Sequence, residues 1–178
     1  MHFYNLKFYC FVDQFNEKLL DNLTKNVSII YRNYSFINHL PTIRKIKQNC
    51  KKRGLKFYLS NNVKLAIKLD LDGAYIPSFN KNFDFTSYNL KKKFLLLGSA
   101  HSLKEIRIKE KQKVSYIFLS PLFKNDKNKT NLGILKFINL KNYTKINIVA
   151  LGGIKKTNLN IIKSHHIFNV ASISLFQQ

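Results

Sequence analysis

A chain of 178 residues, 45% of them hydrophobic, can bury one core but not two, so a single domain over residues 1–178 is expected. Its 31 Lys and Arg against 9 Asp and Glu give a formal charge of +22, the kind of surface that draws polyanions. The lysines are scattered through nearly every helical segment beside abundant Asn, Ile and Phe, and no recognition motif accompanies them, which argues against a specific nucleic-acid partner.

The amino-terminal MHFYNLKFYCFVD meets Lys7 and Asp13 before any apolar run reaches signal-peptide or membrane length, so a cytoplasmic protein without a membrane partner is expected. Within it, KFYCFV from Lys7 reads as the first strand, and EKLLDNLTK follows with helical spacing. VSIIYR from Val27 is the second strand. TIRKIKQNCKK is a helix whose run KIKQNCKKRG, Lys45 to Gly54, fits a solvated face ending at a glycine cap. LKFYLS from Leu55 and GAYIPS from Gly73 are strands separated by the helical VKLAIKL, and SYNLKKK is a further helical candidate. FLLLGS from Phe94, SYIFLS from Ser115, NIVALG from Asn147 and FNVASIS from Phe168 complete eight strand candidates, separated by the helical SLKEIRIKEKQ, GILKFINLKNY and TNLNIIKS.

Regular β–α alternation implies a parallel sheet, and eight units in one small domain predict an α/β fold of the closed (β/α)8 TIM-barrel type. After Ser174 only LFQQ remains, so the last helix is expected to be truncated or absent. Gly73, Gly98, Gly133, Gly152 and Gly153 are expected beside strand ends or helix starts, interrupting no element. Cys10 and Cys50 have no metal-ligand spacing and read as two reduced thiols.

Candidate chemistry gathers at the carboxyl ends of the strands, where barrels of this kind place their active-site loops. LGGI ends strand seven and ASIS, Ala171 to Ser174, ends strand eight; this pair of loops commonly cradles a phosphate. Gly152, Gly153, Ile173 and Ser174 are the candidate phosphate-binding residues, against the plainer reading of a tight glycine turn. Arg32 closes strand two, where its forked donors suit a phosphate or a buried carboxylate. GSAHSLKE places Ser99 and His101 after strand five; Ser99 can donate to an anion, Ser102 and Glu105 can form a capping box, and His101 reads as a loop residue. The loop PLFKNDKNKTNLG, Pro121 to Gly133, is lysine-rich and suited to closing over an anion. His165 and His166 precede the last strand, at the wrong end for this site.

SAHS, the PLF turn, LGGI and VASIS, in that order on an eight-unit pattern, resemble the thiamine-phosphate synthase and TenI family from about Lys7 to Phe176. The resemblance implies a (β/α)8 barrel in thiamine biosynthesis, a transferase that joins a hydroxymethylpyrimidine diphosphate to a thiazole phosphate and releases diphosphate with Mg²⁺. It implies diphosphate roles for Arg32, Asn61 and Ser99, and a thiazole-phosphate cradle from Gly153, Ile173 and Ser174. Lys127 and Lys129 flank the position of the family's loop lysine. The chain departs from the family at both Mg²⁺ carboxylates, which are Asn62 and Asn80 here, and a neutral amide is a poorer ligand for a hard dication. Asp72, Asp84 and Asp126 are the acids near enough to compensate. Ile30 replaces the family's pyrimidine-contacting glutamine and Tyr34 a lysine, while Pro121 stands where the TenI tautomerases use a histidine.

The leading expectation is therefore a synthase-like transferase acting on small phosphorylated substrates. The alternative is a relative, non-catalytic or TenI-like, that binds a thiazole or thiamine phosphate without synthase activity. A barrel flank lacking its last helix would also favour a homo-oligomer.

Overall fold

Alternating apolar residues on eight short strands close the chain into a barrel in a computed structural model that describes residues 6–34, 39–124 and 130–176. The strands are β1 (Lys7–Val12), β2 (Val27–Tyr31), β3 (Lys56–Ser60), β4 (Gly73–Ile76), β5 (Leu95–Ala100), β6 (Tyr116–Leu119), β7 (Asn147–Leu151) and β8 (Asn169–Ser172). Each pairs in parallel with its neighbour in sequence, and β8 returns to β1 through Lys7 to Cys10 against Asn169 to Ser172. All eight predicted strands are present.

The helices are α1 (Glu17–Asp21), α2 (Leu40–Arg53), α3 (Val63–Lys68), α4 (Leu103–Lys111), α5 (Gly133–Asn142) and α6 (Leu159–Ser164). α2 ends at Gly54 in the left-handed conformation, φ 69°, as its sequence predicts. Two barrel units lack an α-helix among the described residues. The predicted helix SYNLKKK does not form: a 3-10 turn, Asp84–Ser87, precedes it and Tyr88 is extended. Leu90 is the lone aliphatic residue in that run, so no apolar stripe exists to hold a helix against the sheet. After β8, residues 173–176 make turns, with Phe176 set edge-on against Phe8 at 6.1 Å between ring centroids.

The glycine expectation needs correction at Gly98, which lies inside β5. A β-carbon there would come within 2.8 Å of the Lys109 side chain and 3.1 Å of Val114, so the missing side chain lets α4 close onto the strand.

Two apolar layers result from the strand alternation. Outward residues pack beneath the helices, with Ile29, Ile46, Ala66, Ile106, Phe137 and Ile162 all buried. Inward residues fill the barrel itself: Tyr9 and Phe11 from β1, then Ile30, Tyr58, Tyr75, Leu97, Phe118, Val149 and Ala171, one from each remaining strand. Branched aliphatics dominate most barrel interiors; here five of these nine are aromatic. Phe118 is the hub, with ring centroids 4.9 Å from Tyr9, 6.0 Å from Phe11 and 5.3 Å from Tyr75. No helix of the described residues is long and apolar enough to cross a membrane. Replacing Phe118 by Ala removes a fully buried ring from the centre of the barrel, and urea denaturation is expected to show a loss of about 3–5 kcal/mol.

Candidate functional site

Three of the sequence candidates, Arg32, Asn61 and Ser99, lie at the carboxyl ends of β2, β3 and β5. Arg32 follows β2 directly, its amide donating to the Val12 carbonyl at 2.8 Å. Its guanidinium lies over the Phe11 ring, 4.6 Å from the centroid, so the ring fixes it from one face. Among the described residues no carboxylate forms an ion pair with it. Ser99 is buried at the end of β5, in the neighbourhood of the Tyr75 hydroxyl. Burial pushes that phenol up to about 12, against the opposing pull of Ser99 and Arg32, so Tyr75 stays a neutral hydroxyl at physiological pH. The Phe11 and Tyr75 rings meet edge to face at 5.3 Å, placing Arg32 and Ser99 above one pair of rings.

Asn61 ends β3 in the left-handed region, φ 59°, a conformation that asparagine tolerates better than most residues. Its amide donates to Tyr75 O at 2.8 Å, and its side-chain oxygen accepts from Asn80 Nδ2 at 2.7 Å. That bond leaves the Asn61 NH₂ group to donate elsewhere. Tyr34, where the family has a lysine, shares a hydrogen bond with Ser60 Oγ at 2.8 Å and sets its ring edge-on to Phe79 at 5.6 Å.

The two amides at the family's carboxylate positions are already committed. Asn62 caps α3, its Oδ1 accepting from the Leu65 amide at 2.9 Å. Asn80 Oδ1 accepts from the Asn82 amide at 2.9 Å while its Nδ2 serves Asn61. Asp72, one possible substitute, lies before β4 at the far end of the barrel and is held by Lys56 Nζ at 2.7 Å and the Phe57 amide at 2.9 Å. Asp84 accepts from Asn82 Nδ2 at 2.7 Å. No cluster of three His, Cys, Asp or Glu able to hold a metal occurs among the described residues, and the donors present do not fit a Mg²⁺ centre.

The paired glycines of β7 have a structural duty that the sequence did not reveal. Gly152 and Gly153 adopt φ 95° and 66°, and the β6 loop passes directly over them. A β-carbon at Gly152 would lie 2.7 Å from Pro121 Cα, and one at Gly153 would lie 2.6 Å from the Phe123 carbonyl. Leu122 and Phe123 amides donate to the carbonyls of Leu151 and Gly152 at 2.9 and 3.0 Å. The phosphate reading is compatible with this packing, because the amides of Gly153, Ile173 and Ser174 meet no protein acceptor among the described residues. Ile173 and Ser174 fall just past β8, in a turn where Ser172 Oγ and Ser174 Oγ both donate to the Ile154 carbonyl, at 3.2 and 3.4 Å.

His101 is a tether, with its ring nitrogens 3.1 Å from Ser78 Oγ and 2.8 Å from the Ser120 carbonyl. Ser102 caps α4, but Glu105 reaches the His101 amide at 2.6 Å in place of the cap residue's own, so the capping box forms only in part. Lys127 and Lys129, with Asp126, lie outside the described residues. Sequence reasoning missed Lys109, which is fully buried in α4; its Nζ donates to Pro77 O, Asn80 O and Gln112 Oε1 at 2.8, 2.9 and 2.8 Å. Burial pushes its ammonium down to about 8, with Glu105 acting in the opposite sense. The available signal was its place three residues after the buried Ile106, on the helix face turned to the core.

Comparisons with known proteins agree with the fold. A thiamine-phosphate synthase of Prochlorococcus marinus subsp. pastoris is 28% identical over 160 residues, covering 89% of this chain and 46% of the relative. One of Pelotomaculum thermopropionicum is 30% identical over 125 residues, covering 67% and 56%. The chain thus spans about half the length of these curated relatives. The solved thiamine phosphate pyrophosphorylase of Pyrococcus furiosus superposes with a TM-score of 0.75 at 20% identity, over 96% of this chain and 86% of that one, which shows a shared fold. The family model described as thiamine monophosphate synthase matches residues 12–176, nearly the whole barrel, and the chain belongs to that family.

Proposed function

We propose that the chain is one thiamine-phosphate synthase-type barrel domain, a cytoplasmic transferase acting on two small phosphorylated substrates in thiamine biosynthesis. The observation that carries this reading is the placement of Arg32: fixed over Phe11 without an ion-paired carboxylate among the described residues, at the same barrel end as the unpartnered amides of Gly153, Ile173 and Ser174. Two anion-binding sets at one mouth suit two anionic substrates.

In this reading the C–O bond between the pyrimidine methylene and its diphosphate breaks, and diphosphate leaves with the electron pair. Arg32, Ser99 and the Asn61 NH₂ stabilise the charge that grows on the leaving group. The amides of Gly153, Ile173 and Ser174 hold the thiazole phosphate, so that the ring nitrogen forms the new C–N bond as the old one opens. We assign any Mg²⁺ in the reaction to the diphosphate itself, because the protein offers amides where relatives of the synthase type offer carboxylates.

A second reading follows from those amides: a relative that retains the phosphate cradle and binds thiazole or thiamine phosphate without turnover. Purified protein mixed with hydroxymethylpyrimidine diphosphate, thiazole phosphate and Mg²⁺ decides between the two, with thiamine phosphate detected by fluorescence after oxidation. Product is expected, and Arg32→Ala is expected to lower kcat/KM by about 10²-fold or more. Folded protein that binds thiazole phosphate in calorimetry and yields no product would establish the second reading. Ser174→Pro, which removes one of the three amide donors, is expected to weaken thiazole-phosphate binding by about tenfold while leaving diphosphate binding unchanged. Asn62→Asp preserves the α3 cap, since Asp caps as well as Asn; combined with Asn80→Asp it is expected to lower the Mg²⁺ concentration giving half-maximal rate.

A further inference from the structure

The chain between β4 and β5 has no α-helix among its described residues, yet the carbonyls of its first stretch are tied down. Two buried polar side chains, Lys109 of α4 and the residue that caps that helix, Gln112, hold it there. Lys109 Nζ donates to the Pro77 and Asn80 carbonyls, and Gln112 Nε2 donates to the Asn80 and Asn82 carbonyls at 3.1 and 2.7 Å. Lys109 and Gln112 are joined to each other at 2.8 Å, and both are fully buried. A lysine so placed gives up its hydration and its rotamer freedom, which is tolerable only because all three donors are used. Gly98 gives its aliphatic stem a place on β5, since any side chain there would strike Lys109.

From this rim a chain of contacts runs into the site: Lys109 Nζ to the Asn80 carbonyl, Asn80 Nδ2 to Asn61 Oδ1, and from there to the Asn61 NH₂. We propose that Lys109, with Gln112, is a positioning residue for diphosphate binding. It fixes Asn80, and Asn80 holds Asn61 with its NH₂ group turned to the anion. The proposal rests on the reading of Asn61 as a diphosphate contact. Lys109 and Gln112 hold from the α4 side a stretch that has no α-helix of its own among the described residues.

The test is calorimetric titration of the whole protein with inorganic diphosphate in the presence of Mg²⁺. Lys109→Met keeps the stem on Gly98 and removes the three donors. Its dissociation constant for diphosphate is expected to rise about tenfold or more, because a small misplacement of a binding group is costly. Affinity for thiazole phosphate, bound at β7 and β8, should not change. In an Asn80→Ala background the same substitution should have no further effect, which a general loss of stability would not reproduce. If Lys109→Met does not fold, Gln112→Leu carries the same expectation through the Asn80 and Asn82 carbonyls. Unchanged diphosphate affinity in a folded variant, or an equal loss in both backgrounds, would overturn the proposal while leaving the site reading intact. A wild-type protein that does not bind diphosphate would overturn the site reading, and this inference with it.

Discussion

Three rings from three separate strands meet edge to face in the middle of the barrel. Phe11 of β1, Tyr75 of β4 and Phe118 of β6 lie 5.3 to 6.0 Å apart, and Tyr9 extends the group at 4.9 Å from Phe118. Such pairs contribute about 0.5–1.5 kcal/mol each beyond the area they bury, and they do so only at fixed mutual angles. They therefore tie strands from opposite walls into one geometry. The upper edge of the same group is the floor of the candidate site: Phe11 carries the Arg32 guanidinium and Tyr75 lies near Ser99. Core and site are one layer of side chains, so the precision of the anion donors is set by the packing beneath them.

The barrel was legible because its signals are local. Each strand is a short apolar run closed by a polar or glycine residue, and each formed helix has an apolar stripe of its own. The helix read into SYNLKKK failed for the same reason that the others succeeded, since it has no stripe to bury. Contacts between distant segments were not legible. Nothing in LGGI says that Pro121 and Phe123 will cross it, and nothing in LKEIRIKEK separates Lys109 from its solvated neighbours except its phase on the helix. The positions of the candidate residues were legible to the extent that they lie at strand ends. Arg32 and Ser99 could be placed at strand ends from spacing and Asn61 from the family resemblance, whereas Asn80 acquires its link to Asn61 from a partner nineteen residues away.

The replacement of two carboxylates by amides has more than a subtractive effect. A carboxylate at the position of Asn80 could not donate to Asn61, and it would bring negative charge beside the groups read here as anion donors. As amides, Asn62 and Asn80 are absorbed into the protein's own hydrogen bonding, one as a helix cap and the other as a link between loops. Both positions are thereby neutral and engaged in hydrogen bonds within the protein. Under the proposed function, recognition of the anion and stabilisation of the leaving group would then fall to the same residues, Arg32 among them.

The aromatic interior has an optical consequence. The chain has nine tyrosines and no tryptophan, so its near-ultraviolet signals come from phenols without a dominant indole background. Tyr9, Tyr58 and Tyr75 are immobilised among other rings, which is the condition for strong circular dichroism in that region and for its disappearance when packing loosens. Tyr75 also lies near Ser99 at the floor of the candidate site. The barrel thus carries a built-in chromophore that reports on closure of the core and on the ground beneath the anion site at once.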